Sequence, residues 1–299
     1  MTSDAEAIGV WAERPAARPA AIQFLRALRR HPLGMFGLVG VVVLLVMAVF
    51  APWIAPHSAS SQDFALLDGP SWAHPFGTDR LGRDILSRVI HASRVELTVS
   101  LTSVFVGVAL ATVMGMVSGY VGGRADTVIQ RFADMWLAFP GLILLIIISA
   151  VLGPSPRTLI IALVIGAIPG NQRIIRGAVL SEKNNVYVDA ARVIGCSEVR
   201  IMFRHVFPQI VALTIVIISI AIPYIALLGA ALSFLGLGLP PPTPSWGGDL
   251  SGDAREYFQD APWMAVFPGA AISLTVLSFN MLGDAMRDIF DPRLRGSVR

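Results

Sequence analysis

Long stretches without Asp, Glu, Lys or Arg are the feature that most limits how this 299-residue chain can fold. The hydrocarbon core of a bilayer is about 30 Å thick, and roughly 20 helical residues cross it. Six stretches approach that length, so we predict an all-α membrane protein with six transmembrane helices. Their bounds are 33–55, 97–119, 135–152, 158–175, the first part of 206–248, and 261–283.

Two of these stretches depart from a simple span. The fourth is the weakest, because Arg173 and Arg176 lie in or just beyond its last turn. Long arginine side chains can reach the membrane interface from such positions. The fifth is longer than one span, so we expect a helix that begins near Val206 and then a non-helical segment.

The composition supports a membrane protein and excludes other classes. Hydrophobic residues make up 55% of the chain and charged residues 14%, which argues against a soluble globular domain and against disorder. The single cysteine, Cys196, excludes an internal disulfide and a multi-cysteine metal site. All but one of the 23 basic residues are arginine. On a membrane chain they mark loops that face anionic lipid, so we predict no nucleic-acid partner.

Loop charges predict the orientation. If the N-terminus is cytoplasmic, 17 of the 23 basic residues fall on the inner side. The positive-inside rule therefore predicts that the N- and C-termini are both cytoplasmic. A cleaved signal peptide is the competing interpretation of the first span. A long charged segment precedes that span and its apolar run exceeds a signal h-region, so we expect an uncleaved anchor.

Motifs for catalysis are missing from the sequence. The five histidines are scattered singly, and there is no HExxH pattern and no GxSxG elbow. The segment 77–84 has the glycine spacing of a phosphate loop but carries Arg-Asp where Lys-Ser/Thr is required. We therefore predict no catalytic residue, no metal site and no bound cofactor, and we expect any ATP hydrolysis to occur in another subunit.

Small residues in the predicted spans bear on helix packing, and charged residues in the spans bear on the class of transporter. Gly115, Gly119 and Gly123 recur at every fourth position, which favours close packing within the bundle over a dimer face. Asp134 is the only candidate charge near a span interior, and a proton-driven carrier normally places ionisable groups at mid-depth. A self-sufficient carrier or channel stays the alternative from another class.

The longest charged loop on the predicted inner side carries the functional argument. Residues 187–195 predict about two helical turns with Asp189 near the positive end of the helix dipole. Ala191 and Gly195 lie one turn apart, so we expect a flat strip there against which another protein can sit. Pro208 precedes the fifth span.

This loop resembles a motif of membrane permeases. Asp189-Ala190-Ala191, Gly195 and Pro208 resemble the "EAA…G…P" pattern of permease subunits of ATP-binding-cassette (ABC) importers, with aspartate in place of the usual glutamate. Further segments resemble the C-type permease of the dipeptide/oligopeptide/nickel branch, and together they cover about residues 24–295. They are 74–79, 82–84, 138–140, 232–238, 241–247, 261–263, 280–284 and 291–295.

The resemblance implies a fold and a function. It implies the type I ABC importer fold in the bacterial cytoplasmic (inner) membrane. Its parts would be a cytoplasmic tail at 1–32, a first helix with a periplasmic segment at 33–95, a permease core at 96–290 and a cytoplasmic tail at 291–299. The implied cargo is a di- or oligopeptide, with a nickel chelate or glutathione as alternatives.

The resemblance also implies partners and sites. The partners are a second homologous permease, two ABC ATPase subunits, a periplasmic or lipid-anchored substrate-binding protein and the lipid bilayer. The helix that docks into the ATPase would contain Tyr187, Asp189, Ala190, Ala191, Arg192, Gly195 and, beyond it, Pro208. Candidate contacts with the binding protein are Asp79, Arg83, Asp84, Trp246, Asp249 and Asp253, although these loops could instead only cover the bundle.

Overall fold

The computed structural model describes residues 28–29 and 31–290, and this part of the chain is helical apart from loops and one isolated β-bridge. Most of the predicted N-terminal tail and all of the predicted C-terminal tail lie outside the described residues. The helices are α1 (Pro32–Val49), α2 (Ala51–Ile54), α3 (Ile85–Val121), α4 (Gly123–Leu137), α5 (Gly141–Leu152), α6 (Pro156–Glu182), α7 (Val186–Val193), α8 (Glu198–Ile201), α9 (Phe207–Phe234), α10 (Trp246–Asp249), α11 (Asp253–Glu256) and α12 (Trp263–Phe290).

Five helical segments of the described residues are long and apolar enough to cross a bilayer. They are α1, α3, α6, the continuous segment Glu198–Phe234 that contains α8 and α9, and α12. The pair α4 and α5 makes a sixth if it is counted as one bent span. The prediction of an all-α membrane protein is therefore confirmed, with five or six candidate spans.

The third predicted span is broken, which corrects the simple helix expected at 135–152. α4 and α5 meet at an angle of 90°. The cause is Pro140, which has no N–H to donate and disfavours helical geometry at Phe139 before it. α5 has 12 residues. At 1.5 Å per residue it is about 18 Å long, which is too short to cross the bilayer alone.

α3 is much longer than the span predicted at 97–119. It begins 12 residues earlier, at Ile85, where the Asp84 side chain accepts a hydrogen bond from Ser87 N and caps the helix. Such an N-cap is worth about 1 kcal/mol. The predicted boundary between residues 95 and 96 therefore falls inside one continuous helix.

Glycines let α3 approach α6 closely. A Cβ atom built on Gly115 would lie 2.7 Å from the carbonyl oxygen of Gln172, and one on Gly119 would lie 2.9 Å from that of Arg176. Packing within the bundle is thus confirmed for these two glycines. Gly123 has no such neighbour within 4 Å.

On the candidate spans, the exposed apolar side chains are those expected to meet lipid. On α1 the exposed residues include Leu33, Phe36, Val39 and Val43, each at least 54% exposed. The opposite side of α1 packs on α12, where a Cβ on Gly37 would lie 2.6 Å from Leu282 N. A helix with one packed side and one apolar exposed side is what a bilayer requires.

Candidate functional site

The loop that joins α6 to α9, residues 183–206, is called the α7 loop below. Its helix α7 turns Val188 and Ala191 inward, with exposed fractions of 0% and 4%. Val193 and Ile194 point away from the protein and are 87% and 78% exposed. The strip expected at Ala191 and Gly195 is therefore not an outward surface, because Ala191 packs on the chain itself.

Five large apolar side chains of the α7 loop are exposed. Water is a poor solvent for such groups, and exposed apolar patches outside the membrane are typical of surfaces that bind a partner. The set is named the apolar face of the α7 loop and consists of Val186, Val193, Ile194, Val199 and Phe203.

Gly195 ends α7 for a geometric reason. Its φ is +83°, a left-handed conformation that favours glycine. Its N–H donates to the carbonyl of Arg192 at 2.9 Å, and the N–H of Cys196 donates to that of Ala191 at 3.1 Å. These two bonds form the Schellman motif that closes many helices. The sequence pattern around Gly195 is thus a requirement of the local fold.

Polar contacts tie the α7 loop to the ends of α3 and α6. The only lysine, Lys183, donates from Nζ to the carbonyl of Gly119 at 2.8 Å, near the end of α3. Tyr187 donates to the Glu182 carboxylate at 2.9 Å. Burial, and then the Glu182 carboxylate, raise the pKa of Tyr187 to about 12, so its hydroxyl stays protonated and remains a donor.

A second set of contacts joins α7 to the end of α3 through Glu198. The Tyr120 hydroxyl donates to the Glu198 carboxylate, and Arg192 lies 3.4 Å from the other oxygen of that carboxylate. Arg192 also donates to Asp189 at 3.0 Å. Asp189 and Arg192 therefore pair on the surface of α7, whereas Ala190 between them is exposed without a polar group.

Pro208 lies in the first turn of α9, directly after a π-helical turn at Met202–Val206. The N–H of Phe207 donates to the carbonyl of Met202, five residues back. Pro208 has no N–H for the normal bond to Arg204, and a wider turn accommodates that loss.

At the other end of α3 two connecting segments, residues 55–84 and 235–262, form what is called the cap. Asp79 accepts hydrogen bonds from the backbone N–H groups of Leu81 and Arg83, both at 2.9 Å, and pairs with the Arg83 guanidinium. Asp84 is fully buried and lies 3.0 Å from His74 Nδ1.

Buried polar contacts lock the two cap segments to α3. The Arg88 guanidinium, whose side chain is 5% exposed, donates to the Asp249 carboxylate and at 3.0 Å to the carbonyl of Ala59. Trp246 is buried and donates from Nε1 to the carbonyl of Val89 at 3.0 Å. Burial raises the pKa of Asp249, and the Arg88 charge opposes that rise. Arg80 and Asp253 form a further pair that is partly exposed.

Two cavities of about 520 Å³ each lie in the described part of the chain. One lies under the cap and is lined by the charged pairs just described, together with prolines. The other lies beside the bend between α4 and α5, against α6 and α9, and is mainly apolar. Asn171 and Tyr224 are among its few polar lining residues.

Comparison with known proteins identifies the chain. Residues 111–296 match the family described as binding-protein-dependent transport system inner membrane component. Residues 21–70 match the N-terminal transmembrane domain of oligopeptide transport permease C. The chain belongs to this permease family. It is a permease of an ABC importer in the inner membrane, as predicted from the sequence.

Named relatives of the permease are glutathione transport system permease proteins GsiD. The proteins from Escherichia coli O6:K15:H31 and from Shigella boydii serotype 4 are each 43% identical to it over 276 residues. These alignments cover 92% of this chain and 91% of each relative. The match to the C-type branch that the sequence motifs implied is thereby confirmed.

The structure of the permease places the predicted residues in two groups. Those of the predicted docking helix lie on α7 and its end, apart from Pro208 in α9. Those of the predicted binding-protein contact all lie in the cap or at the start of α3, and of these Asp253 has the most exposed side chain, while Asp79, Asp84 and Trp246 are buried.

Sequence reasoning missed several residues that hold these groups in place. Arg88, Tyr120 and Glu198 have no motif and gain their importance from partners between 78 and 161 residues away. His57 and His74 are far apart in the sequence, but their rings are neighbours in the cap, with centroids 5.4 Å apart. Residues of opposite charge on segments predicted to be neighbours are a signal that could have identified the pair of Arg88 and Asp249.

Proposed function

We propose that the permease forms one half of a heterodimeric pore and that separate ATPase subunits dock on its α7 loop. In this proposal two ATPases, a second homologous permease and a substrate-binding protein complete the importer. The observation that carries the proposal is the apolar face of the α7 loop. Two of its members, Val186 and Val193, lie on α7, which also carries the buried Val188 and Ala191.

Docking on this face explains why apolar side chains are exposed outside the spans. Val193 and Ile194 would enter a groove of the ATPase, whereas Asp189 and Arg192 would lie at its rim. Interfaces commonly have such an apolar centre and a polar edge. Aspartate is shorter than the glutamate that is usual at this position, but it carries the same charge. Asp189 would therefore still supply a carboxylate at the rim of the groove.

Movement of a docked ATPase would pass to the ends of α3 and α6 through the polar contacts of the α7 loop. Val188 and Ala191 pack inward, and Lys183 and Glu198 bind the last turn of α3. A shift of a two-state equilibrium from 1:99 to 99:1 takes about 5.5 kcal/mol of differential binding. ATP-driven closure of the ATPases would deliver that free energy at this loop.

The orientation follows from the loop charges. We place both termini and the α7 loop in the cytoplasm, and the cap outside, where it would meet the binding protein. Most of the six predicted contact residues form hydrogen bonds or ion pairs inside the cap. They would hold the cap in shape, and the binding protein would contact the exposed side chains of the cap. Trp72, Leu66 and Phe258 are large apolar examples of these.

For the cargo we propose glutathione or another short peptide. The support is that relatives 43% identical over nearly the whole chain are glutathione permeases by name. The cavity beside the α4–α5 bend, with a volume of about 520 Å³, would form part of the pathway with the partner permease. A ligand pocket of about 300–1,000 Å³ suits a molecule of this size.

The first test is assembly of the complex. The permease would be tagged at Arg299, extracted gently and analysed for co-purifying proteins by mass spectrometry. We expect two ATPase subunits, a second permease and the binding protein. Recovery of the permease alone, together with solute transport by that single chain in vesicles, would establish a carrier or channel instead.

The second test places the ATPase contact on the α7 loop. Gly195→Glu is expected to insert normally, to lose the ATPases in the same purification and to abolish uptake. Gly236→Glu is a matched control that should keep its ATPases, because Gly236 has a φ of +79°, has nothing within 4 Å of a built Cβ, and ends α9 with the same pair of backbone bonds. Normal uptake by Gly195→Glu would contradict the assignment of this loop.

The third test concerns the cargo. Uptake of radiolabelled glutathione, a dipeptide and a chelated nickel ion would be compared in proteoliposomes that contain the whole importer and its binding protein. We expect ATP-dependent uptake of glutathione or the dipeptide. Uptake of nickel alone would overturn the proposed cargo and leave the importer assignment intact.

A further inference from the structure

Three potential metal ligands from separate parts of the cap come together in space. His57 follows α2, His74 lies in the loop that leads to α3, and Asp84 is the residue before α3. One potential ligand atom from each of these residues lies within 4.8 Å of those from the other two. Two imidazoles and one carboxylate are a donor set that zinc accepts.

The distances suit one shared ion. His74 Nδ1 lies 3.0 Å from Asp84 Oδ1. Two ligand atoms at 2.0–2.1 Å from a tetrahedral zinc ion are about 3.3 Å apart. The pair is thus close to the spacing it would have on the metal. His57 lies within 4.8 Å of both and needs an inward movement of roughly 1.5 Å at most.

The surroundings of the three residues are those of a built site. Asp84 is fully buried and His74 is 9% exposed. The ring of Phe64 packs on the rings of both histidines, with centroid distances of 4.7 and 4.4 Å, and His57 is half-buried. An ion held in such a place is bound more strongly than one on an open surface, because bulk water competes less for its ligands.

Ser87 orients the carboxylate and one histidine. Its N–H and its hydroxyl donate to Asp84 Oδ2 at 2.8 and 2.6 Å, which leaves Oδ1 directed at His74. The Ser87 hydroxyl also accepts a hydrogen bond from the backbone N–H of His57 at 3.0 Å. Hydrogen bonds of this kind around ligands are typical of metal sites.

We propose that the cap binds one zinc ion through His57, His74 and Asp84, with water as the fourth ligand. The ion fastens a segment that has little regular structure of its own, since no helix lies between Ile54 and Ile85 in the described chain. It joins the start, the middle and the end of that segment. A metal clip that closes such a loop restricts the unfolded chain and stabilises the cap.

His57 separates this proposal from a simple hydrogen bond. A bond between His74 and Asp84 needs only those two residues. Among the described residues, the His57 imidazole makes ring contacts with Phe64 and His74 and no side-chain hydrogen bond. Loss of the His57 imidazole should therefore matter for zinc and hardly at all for the hydrogen bond.

The experiment measures zinc on the purified complex, with an affinity tag that contains no histidine. The protein is stripped with a chelator, titrated with zinc chloride and assayed by elemental mass spectrometry and thermal unfolding. We expect one zinc ion per permease chain and a zinc-dependent rise in the melting temperature. His57→Ala should weaken zinc binding roughly 100-fold or more, which exceeds the loss typical of a ligand's supporting residues.

Controls decide between a site and adventitious binding. His91→Ala removes a histidine of α3 outside the cluster and should leave zinc binding unchanged. Cobalt in place of zinc should give the visible absorption of a tetrahedral ion, and His57→Ala should abolish it. Absence of retained zinc, or equal zinc binding by His57→Ala and His91→Ala, would overturn the proposal.

Discussion

The cap and the α7 loop lie at opposite ends of α3, and they use their side chains in opposite ways. In the cap, charged groups are buried and paired, as Arg88 is with Asp249. In the α7 loop, charged groups are exposed, and so are large apolar residues such as Val193 and Ile194. The cap thus satisfies its own polar groups, whereas the loop leaves apolar surface uncovered.

This difference teaches which end of the molecule is complete by itself. A buried charge is tolerated only when its partner lies in the same structure, so the cap must fold as one unit with α3. Exposed apolar surface outside the membrane is covered by a partner in proteins that assemble. Substitutions in the cap should therefore destabilise the permease itself, and substitutions on the apolar face should disturb its assembly.

The largest effect on the stability of the permease is expected at the buried pair of the cap. Arg88→Leu removes the partner of Asp249 and leaves a buried carboxylate without a counter-charge. We expect the free energy of unfolding, measured by denaturant titration in detergent micelles, to fall by about 3–5 kcal/mol.

Two further variants sharpen that test. Replacement of both residues by leucine should recover most of the loss, because no unpaired charge then remains. Arg80→Leu breaks a pair that is more exposed, with side chains 47% and 29% exposed, and should change stability far less. Equal losses for Arg88→Leu and Arg80→Leu would show that burial does not distinguish the two pairs.

A smaller effect is expected within α7, where the same substitution can be made on both sides of one helix. Val188 is fully buried, so Val188→Ala should lower the free energy of unfolding by about 2 kcal/mol. Val193 is 87% exposed, so Val193→Ala should change it by no more than about 0.5 kcal/mol.

The binding of the ATPase should rank these two variants in the opposite order from their stability. We expect Val193→Ala to weaken ATPase binding in a pull-down from detergent, since it removes part of the apolar face. Val188→Ala should retain that binding at temperatures where it is folded. An unchanged ATPase affinity in Val193→Ala would break the comparison between the cap and the loop.

The smallest effect is expected at the end of α7. Gly195→Ala forces a left-handed conformation on a residue with a Cβ and should cost about 1 kcal/mol. Gly236→Ala is the control, because Gly236 also has a positive φ, of +79°, and has no neighbour within 4 Å of a built Cβ. It closes α9 with the same two backbone bonds, from its own N–H to Ser233 and from the N–H of Leu237 to Leu232. Both variants should lose similar stability, and only Gly195→Ala should reduce ATPase-driven uptake. A matching loss of uptake in Gly236→Ala would assign the defect to general strain.

The fold was predictable where composition alone decides it. Apolar runs revealed the spans, since no other environment accepts them. The start of α3 was not predictable in this way, because the stretch 85–96 contains Arg88, Arg94 and Glu96 and resembles a solvated loop. Arg88 pairs with Asp249, 161 residues further along the chain, so a tertiary contact that no local pattern reveals accommodates this charge in the helix. Pro140 itself was a local signal for the break between α4 and α5. A search for uncharged stretches does not register a proline.

The position of the candidate site along the chain was predictable. Which of its side chains are buried was less predictable. The pattern at Asp189 and Gly195 located α7, and Gly195 ended it one residue after the cap residue Ile194. Which side of α7 is buried depends on how the loop folds, chiefly on where α8 lies against α7, so Ala191 was expected on the wrong side. The His57–His74–Asp84 cluster depends wholly on chain folding, because its members are 10 or more residues apart.

The continuity of α3 has a mechanical consequence. Its 37 residues form one uninterrupted helix. At 1.5 Å per residue the rod is about 55 Å long. With one end held, each degree of tilt moves the other end through an arc of about 1 Å. The cap contacts the first turn of α3, and the α7 loop contacts its last turn. A tilt of α3 by a few degrees, imposed at the α7 loop, would therefore displace the cap end of the helix by several ångströms. No bend within the helix is required.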